Sequence, residues 1–240
     1  MNLIIVGGPP STGKTSVLLH TLTKLIKENY KIGVVKLDCL VAGDEETYTS
    51  HGIDAVTGLS VYVCPDHYLG TNMDRIIKWG LHKEKDFLII ESAGLCNRCA
   101  PHLKDVLSIA VIDMLSGVNT PRKIGPLLKS ADLAILTKGD LISQAEREVF
   151  CLNITKIAPK VKIIEINGLT GQRTNLLVKY FKEANKIDEN RKYQSLQLRY
   201  PMPGAVCSFC LGEKRVGQHF AKGNYRLIEF PDFKIGDMRL

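Results

Sequence analysis

A chain of 240 residues, 45% of them hydrophobic, can bury one substantial core and a small addition, but not two full-sized domains. Its formal charge of +7 suits an anionic partner. The basic residues are nevertheless spread along the whole length, with no arginine-rich tract or aromatic-interleaved patch, which argues against nucleic-acid binding. No apolar run reaches the ~18 residues of a membrane span. The opening Met1-Asn2-Leu3-Ile4-Ile5-Val6 lacks the charged flank and apolar length of a signal peptide, so a cytoplasmic protein without membrane contact is expected.

In chain order, short apolar runs recur at Leu3–Val6, Ile32–Leu37, Phe87–Ile90, Val106–Ile112, Leu133–Leu136 and Val161–Ile166. Each is nearly unbroken and stops at polar residues or glycine, the signature of buried parallel strands. Helix-period stretches lie between and after them, at Thr15–Lys27, Ile142–Ile157 and Asn175–Ala184. Alternation of this kind predicts an α/β fold, a doubly wound and mostly parallel sheet. The expected division is a nucleotide-binding domain over 1–185 and a cysteine-containing C-terminal appendage over 186–240, with a strand at Arg226–Phe230.

Directly after the first run comes Gly8-Pro9-Pro10-Ser11-Thr12-Gly13-Lys14-Thr15, matching G-x-x-x-x-G-K-[ST] between a strand and a helix. Glycines let backbone N–H groups fold around phosphates, and the helix N-terminus adds positive potential. Lys14 then reaches the terminal phosphates, Thr15 ligates magnesium, and Ser11, Thr12 and Ser16 complete the phosphate-binding set. Two carboxylates end neighbouring strands: Asp38 after Ile32–Leu37, and Glu91 after Phe87–Ile90. Both are candidates for the magnesium side of the site and for orienting the attacking water. Gly94 follows Glu91 by three positions, which would make Ser92–Arg98 a segment that senses the γ-phosphate.

The base is read at Thr137-Lys138-Gly139-Asp140, where a carboxylate accepts from groups that guanine carries and adenine lacks. GTP is therefore favoured over ATP. Thr137 stands where Asn is usual, and the expected consequence is weaker anchoring of this loop.

Seven cysteines in a reducing compartment point to metal or catalysis rather than to disulfides. Cys64-Pro65-Asp66-His67 follows Val61-Tyr62-Val63, read as the end of a strand, and sets a thiolate and an imidazole three residues apart. That pair suits nickel, zinc or cobalt; the bland alternative is a buried cysteine and an unrelated surface histidine. One chain supplies too few ligands for a closed site, so a symmetric dimer is the natural completion. Cys96 and Cys99 fall on the phosphate-sensing segment, and Cys207 and Cys210 form a second Cys-x-x-Cys pair, for which zinc is the plain reading and an iron–sulfur cluster the sharper one. His102 could be a further ligand, although a lone histidine beside a proline is more often exposed. Cys39 and Cys151 read as small core or near-core residues.

Several of these segments together resemble the metallochaperone GTPases of urease and nickel–iron hydrogenase maturation, of the SIMIBI class, over roughly residues 1–183. The resemblance is carried by Val111 to Pro126, by Lys129-Ser130-Ala131-Asp132 running on to Asp140, by Glu91-Ser92-Ala93-Gly94, and by Cys64-Pro65-Asp66-His67 with Asp66 inserted. Ile166-Asn167-Gly168-Leu169-Thr170-Gly171 is similar to the loop that closes over guanine, which brings in Asn167. What this implies is a GTP- and Mg2+-dependent homodimer that carries a transition metal, usually nickel, to a client metalloenzyme. The chain departs from the pattern in lacking a histidine-rich N-terminus and in adding Cys96, Cys99 and the tail, so a client other than urease or hydrogenase is expected. Two rivals stand beside this reading: an iron–sulfur nucleotidase acting as a reductive activator or electron donor, and a non-catalytic nucleotide-binding scaffold.

Overall fold

The computed structural model describes residues 1–40, 44–93, 102–187, 195–200 and 212–233. Gly94, Cys96, Cys99, Cys207 and Cys210 lie outside the described residues.

The apolar runs become strands in one parallel sheet. In chain order the strands are β1 (Asn2–Gly7), β2 (Ile32–Asp38), β3 (Asp54–Leu59), β4 (Phe87–Ser92), β5 (Leu107–Asp113), β6 (Leu133–Thr137) and β7 (Lys162–Glu165). They are arranged β3-β2-β4-β1-β5-β6-β7, and all paired neighbours run parallel. The main helices are α1 (Lys14–Lys27), α2 (Asp44–Thr49), α3 (Pro65–His82), α4 (Thr120–Lys123), α5 (Gly125–Ser130), α6 (Gln144–Ile157) and α7 (Thr174–Glu183).

Successive residues of a strand point to opposite faces, and the core divides accordingly. Ile4 and Val6 of β1 join Val17, Leu22, Leu177 and Phe181 under α1 and α7. Leu3 and Ile5 face the other way, against Leu69, Met73, Ile76 and Trp79 of α3. Ala110, Ile112, Ala134 and Leu136 pack on α5 and α6 through Leu128, Phe150 and Ile154. The expected doubly wound sheet is what forms. Among the described residues no helix is long and apolar enough to cross a membrane.

Two local expectations are corrected. Val61-Tyr62-Val63 is a turn, not a strand: Val61 takes a left-handed φ of 55° and Val63 N–H bonds back to Ser60 C=O at 3.0 Å. The strand lies just before it, at Asp54–Leu59, on the sheet edge, where Gly58 and polar residues hide the apolar signal. Gly58 is required there, because an added Cβ would stand 2.8 Å from the Tyr68 ring and 2.9 Å from Ile228. The strand expected at Arg226–Phe230 is irregular chain with a single bridge, Phe230 to Phe233.

The described C-terminal residues pack into the core cluster built on α3. Leu198, Val216, Ile228, Phe230 and Phe233 belong to it, and Phe230 stacks on Trp79 with ring centroids 5.2 Å apart. Asn72 holds the crossing chain from both sides, donating to Arg226 C=O at 3.0 Å and accepting from Ile228 N–H at 2.8 Å.

Candidate functional site

Ligand sites of open parallel sheets form at the carboxyl ends of the strands, where the chain changes direction across the sheet. β1, central here, delivers the phosphate-binding loop into α1. The loop needs its glycines: a Cβ on Gly8 would sit 2.2 Å from Val111 C=O, and Gly13, with φ +84°, caps α1 by accepting from Val17 N–H. Thr12 is buried and bonds Pro9 C=O, while Ser11 and Ser16 are exposed on the rim. Lys14 folds over the loop and donates to Gly8 and Pro9 C=O, each at 2.9 Å.

A cleft of about 530 Å³ opens beside this loop, lined by Ser11, Lys14, Thr15, Ser16, Asp38 and Glu91 among others. The structure thus brings together the motif residues and both carboxylates named from sequence. Glu91 is 1% exposed, and each of its oxygens is engaged. Thr15 Oγ1 donates to Oε1 at 2.9 Å and the Tyr48 hydroxyl to Oε2 at 2.6 Å. Asp38 Oδ1 accepts from Cys39 N–H at 2.6 Å. A hydroxyl flanked by carboxylates in an open cleft is the hard, oxygen-only donor set that suits Mg2+. Burial pulls the Lys14 ammonium down to about 8, opposed by the Glu91 charge and reinforced by that of Lys36. Sequence reasoning missed Lys36 and Tyr48. Lys36 left a trace, as a charge in an otherwise apolar strand two positions before Asp38; Tyr48 left none.

The loop Thr137-Lys138-Gly139-Asp140, expected to read the base, adjoins this cleft. Thr137 is buried, and its hydroxyl donates to Thr12 C=O at 2.7 Å. The expected loss of anchoring is therefore corrected: β6 ends so close to the phosphate loop that the shorter threonine reaches it. Lys138, in the left-handed region at φ 57°, donates to Ser11 C=O at 2.9 Å and pairs with Asp113. Asp140 is exposed and lines a second cavity of about 270 Å³ with Asn167, Arg147, Glu165 and Arg173. Asn167 Oδ1 accepts from Leu169 and Thr170 N–H and so shapes its own loop.

Cys64 caps the N-terminus of α3 and is half-buried; His67, one turn in, is buried, and loss of solvent lowers its imidazole to about 4. It is therefore neutral near pH 7, the form that ligates a metal. The inserted Asp66 points inward. Its Oδ1 accepts a long 3.4 Å bond from Ser92 Oγ, its Oδ2 has no partner among the described residues, and burial raises the carboxyl to about 7. Among the described residues no three of His, Cys, Asp or Glu converge on one point. His102 is not exposed, contrary to expectation. It is fully buried, with Nδ1 against Ser130 Oγ at 2.8 Å. Cys39 is half-buried with its sulfur 3.7 Å from Ser60 Oγ, and Cys151 packs at the edge of the α5–α6 cluster.

Residues 2–165 match the family described as CobW/HypB/UreG, nucleotide-binding domain. The chain belongs to that family. The match takes in the phosphate loop, Cys64 to His67, Glu91 and Asp140; Asn167 and the C-terminal stretch lie beyond it. At 46% identity over 229 residues, 95% of this chain and 97% of the other, it is similar to uncharacterized protein MJ0120 of Methanocaldococcus jannaschii. The urease accessory protein UreG of Haloquadratum walsbyi is 31% identical over 148 residues, 57% of this chain and 71% of UreG. Among solved structures, the hydrogenase maturation factor HypB from Archaeoglobus fulgidus superposes with a TM-score of 0.62 at 22% identity, over 76% of this chain and 89% of that one. HypB from Helicobacter pylori, in complex with nickel, gives 0.57 at 17% identity, over 78% and 91%. These superpositions establish the shared P-loop nucleotide-hydrolase fold.

Proposed function

We propose that this chain is a GTP-hydrolysing metallochaperone or maturation factor, which couples the γ-phosphate to the handling of a transition metal, with nickel favoured. One observation carries the coupling: Ser92, the residue after Glu91, donates to Asp66 between Cys64 and His67. A shift at the end of β4 therefore reaches the metal motif through one bond and no intervening element.

In this reading the loop amides and Lys14 bind the β- and γ-phosphates. Thr15, oriented by Glu91, would hold Mg2+, which supplies charge neutralisation to the phosphates when bound. Asp38, on the neighbouring strand end, orients the water for in-line attack. Asp140, with Asn167 across the second cavity, reads guanine. Cys64 and His67 supply a thiolate and a neutral imidazole to the metal cargo. A second copy of the chain completes that ligand set. Metal then passes to a client enzyme as hydrolysis relaxes β4.

The test joins turnover to metal affinity. GTP hydrolysis is measured for the wild type and Lys14→Ala, and Ni2+ and Zn2+ affinities are measured with GDP and with a non-hydrolysable GTP analogue. The reading expects hydrolysis that Lys14→Ala removes, and a metal affinity that differs between the two nucleotides and collapses in Cys64→Ala and His67→Ala. Equal turnover in Lys14→Ala, or a metal affinity indifferent to nucleotide, overturns it.

A further inference from the structure

The cleft holds a cation that its phosphate-binding motif does not supply. Lys36 and Asp38 are two residues apart on β2, so both side chains leave the same face of the strand, toward α1. Lys36 is 9% exposed, and its Nζ stands 3.5 Å from Thr15 Oγ1 and 3.7 Å from Glu91 Oε1. Those are the two oxygens on the magnesium side of the cleft. The Glu91 carboxylate sets an opposite charge against it in this buried position. Tyr48, on the other oxygen of Glu91, fixes that carboxylate toward Lys36.

Thr15 and Glu91 would hold Mg2+ through the same two oxygens that Lys36 Nζ now faces. Two cations drawn to one pair of oxygens repel each other, whereas a phosphate oxygen brought to either of them is attracted. We propose that Lys36 is a resident cation of the magnesium position, taking a phosphate oxygen of the nucleotide when Mg2+ is scarce and moving aside when it binds. Nucleotide binding then tolerates the loss of Mg2+, and hydrolysis does not. The inference rests on the reading that a nucleoside triphosphate occupies this cleft.

The experiment titrates GDP and a non-hydrolysable GTP analogue into the full chain, once with Mg2+ and once with EDTA, for the wild type, Lys36→Met, Lys36→Gln and Lys36→Arg. The readout is the ratio of the two dissociation constants within each protein, so a fraction of unfolded material does not affect it. Wild type and Lys36→Arg should bind within about tenfold in the two conditions, while Lys36→Met and Lys36→Gln lose at least a further ~10-fold in EDTA and match or exceed the wild type in Mg2+. An EDTA-to-Mg2+ ratio in Lys36→Met and Lys36→Gln equal to that of the wild type overturns the assignment. Wild-type protein that binds neither nucleotide in either condition overturns the reading of the cleft itself, and the assignment with it.

Discussion

The Tyr48 hydroxyl donates to Glu91 Oε2 at 2.6 Å, tying α2 to the end of β4 behind a carboxylate that lines the nucleotide cleft. Tyr48 is fully buried, and its phenol is held well above its usual range by loss of solvent and by the Glu91 charge. It is a permanent donor, so Glu91 keeps its other oxygen turned to Thr15. Tyr48→Phe preserves the ring and removes the donor. We expect a stability loss of about 1–2 kcal/mol by denaturant titration. GTP turnover should fall by about tenfold with little change in GDP affinity. Turnover equal to the wild type would show that Glu91 needs no such support.

Asp140 is exposed and lines the cavity beside Asn167, where the proposed function places the base. Replacing it by Asn exchanges an acceptor for a donor. Asp140→Asn should lose at least ~10²-fold in GTP affinity and gain affinity for xanthosine triphosphate, because a site built around one hydrogen-bond pattern rejects its complement. Competition binding with the two nucleotides measures this. Unchanged preference would place base reading elsewhere.

Arg199 makes a fork with Asp132, at 2.9 and 2.6 Å, and donates to the carbonyls of Leu103, Ser130 and Val106, each at 2.8 Å. It thereby clamps the chain before residue 200 to the start of β5 and the end of α5. Arg199→Ala leaves three carbonyls and a carboxylate short of a donor. Since Asp132 is partly exposed, the expected loss is about 2 kcal/mol rather than the larger cost of a buried pair. Limited proteolysis should then cut the C-terminal stretch faster than the wild type, and equal rates would count against the clamp.

His102 is fully buried between Ser130 and the P-loop end of β1, and burial, with the Arg199 charge adding, holds its imidazole at about 4. The unfolded chain, with an ordinary pKa of ~6.5, takes up a proton that the folded chain refuses. Stability from this group is complete above pH ~6.5 and is lost as pH falls toward 4, by up to about 3 kcal/mol. Urea titrations across that window should show the slope, and His102→Asn should flatten it. An unaltered slope in the variant would assign acid sensitivity to other groups.

Much of the nucleotide site is legible from residue order because its chemistry is local. The phosphate loop needs Gly8, Gly13, Lys14 and Thr15 at fixed spacing between a strand and a helix, and no distant residue can replace that pattern. Asp38 and Glu91 are legible for a related reason: a carboxylate that ends an apolar strand of a parallel sheet is delivered to the ligand edge. By contrast, Val61 to Val63 read as a strand because three apolar residues in a row cannot reveal a left-handed φ at Val61. His102 was expected to be exposed, since nothing in its neighbours shows that Ser130 and Arg199 close over it.

By itself, then, the sequence determined the parallel sheet, the phosphate loop and the strand-end acids, which rest on periodicity and spacing within a few residues, and it carried a family resemblance in the order of several separate motifs. Tertiary structure alone decided that Thr137 anchors to Thr12, that Tyr48 and Lys36 meet at Glu91, and that Ser92 touches Asp66. Those contacts join residues up to 125 positions apart. Which of them meet depends on strand order in the sheet, and strand order is set by how whole helices and strands bury their apolar faces together rather than by any local pattern.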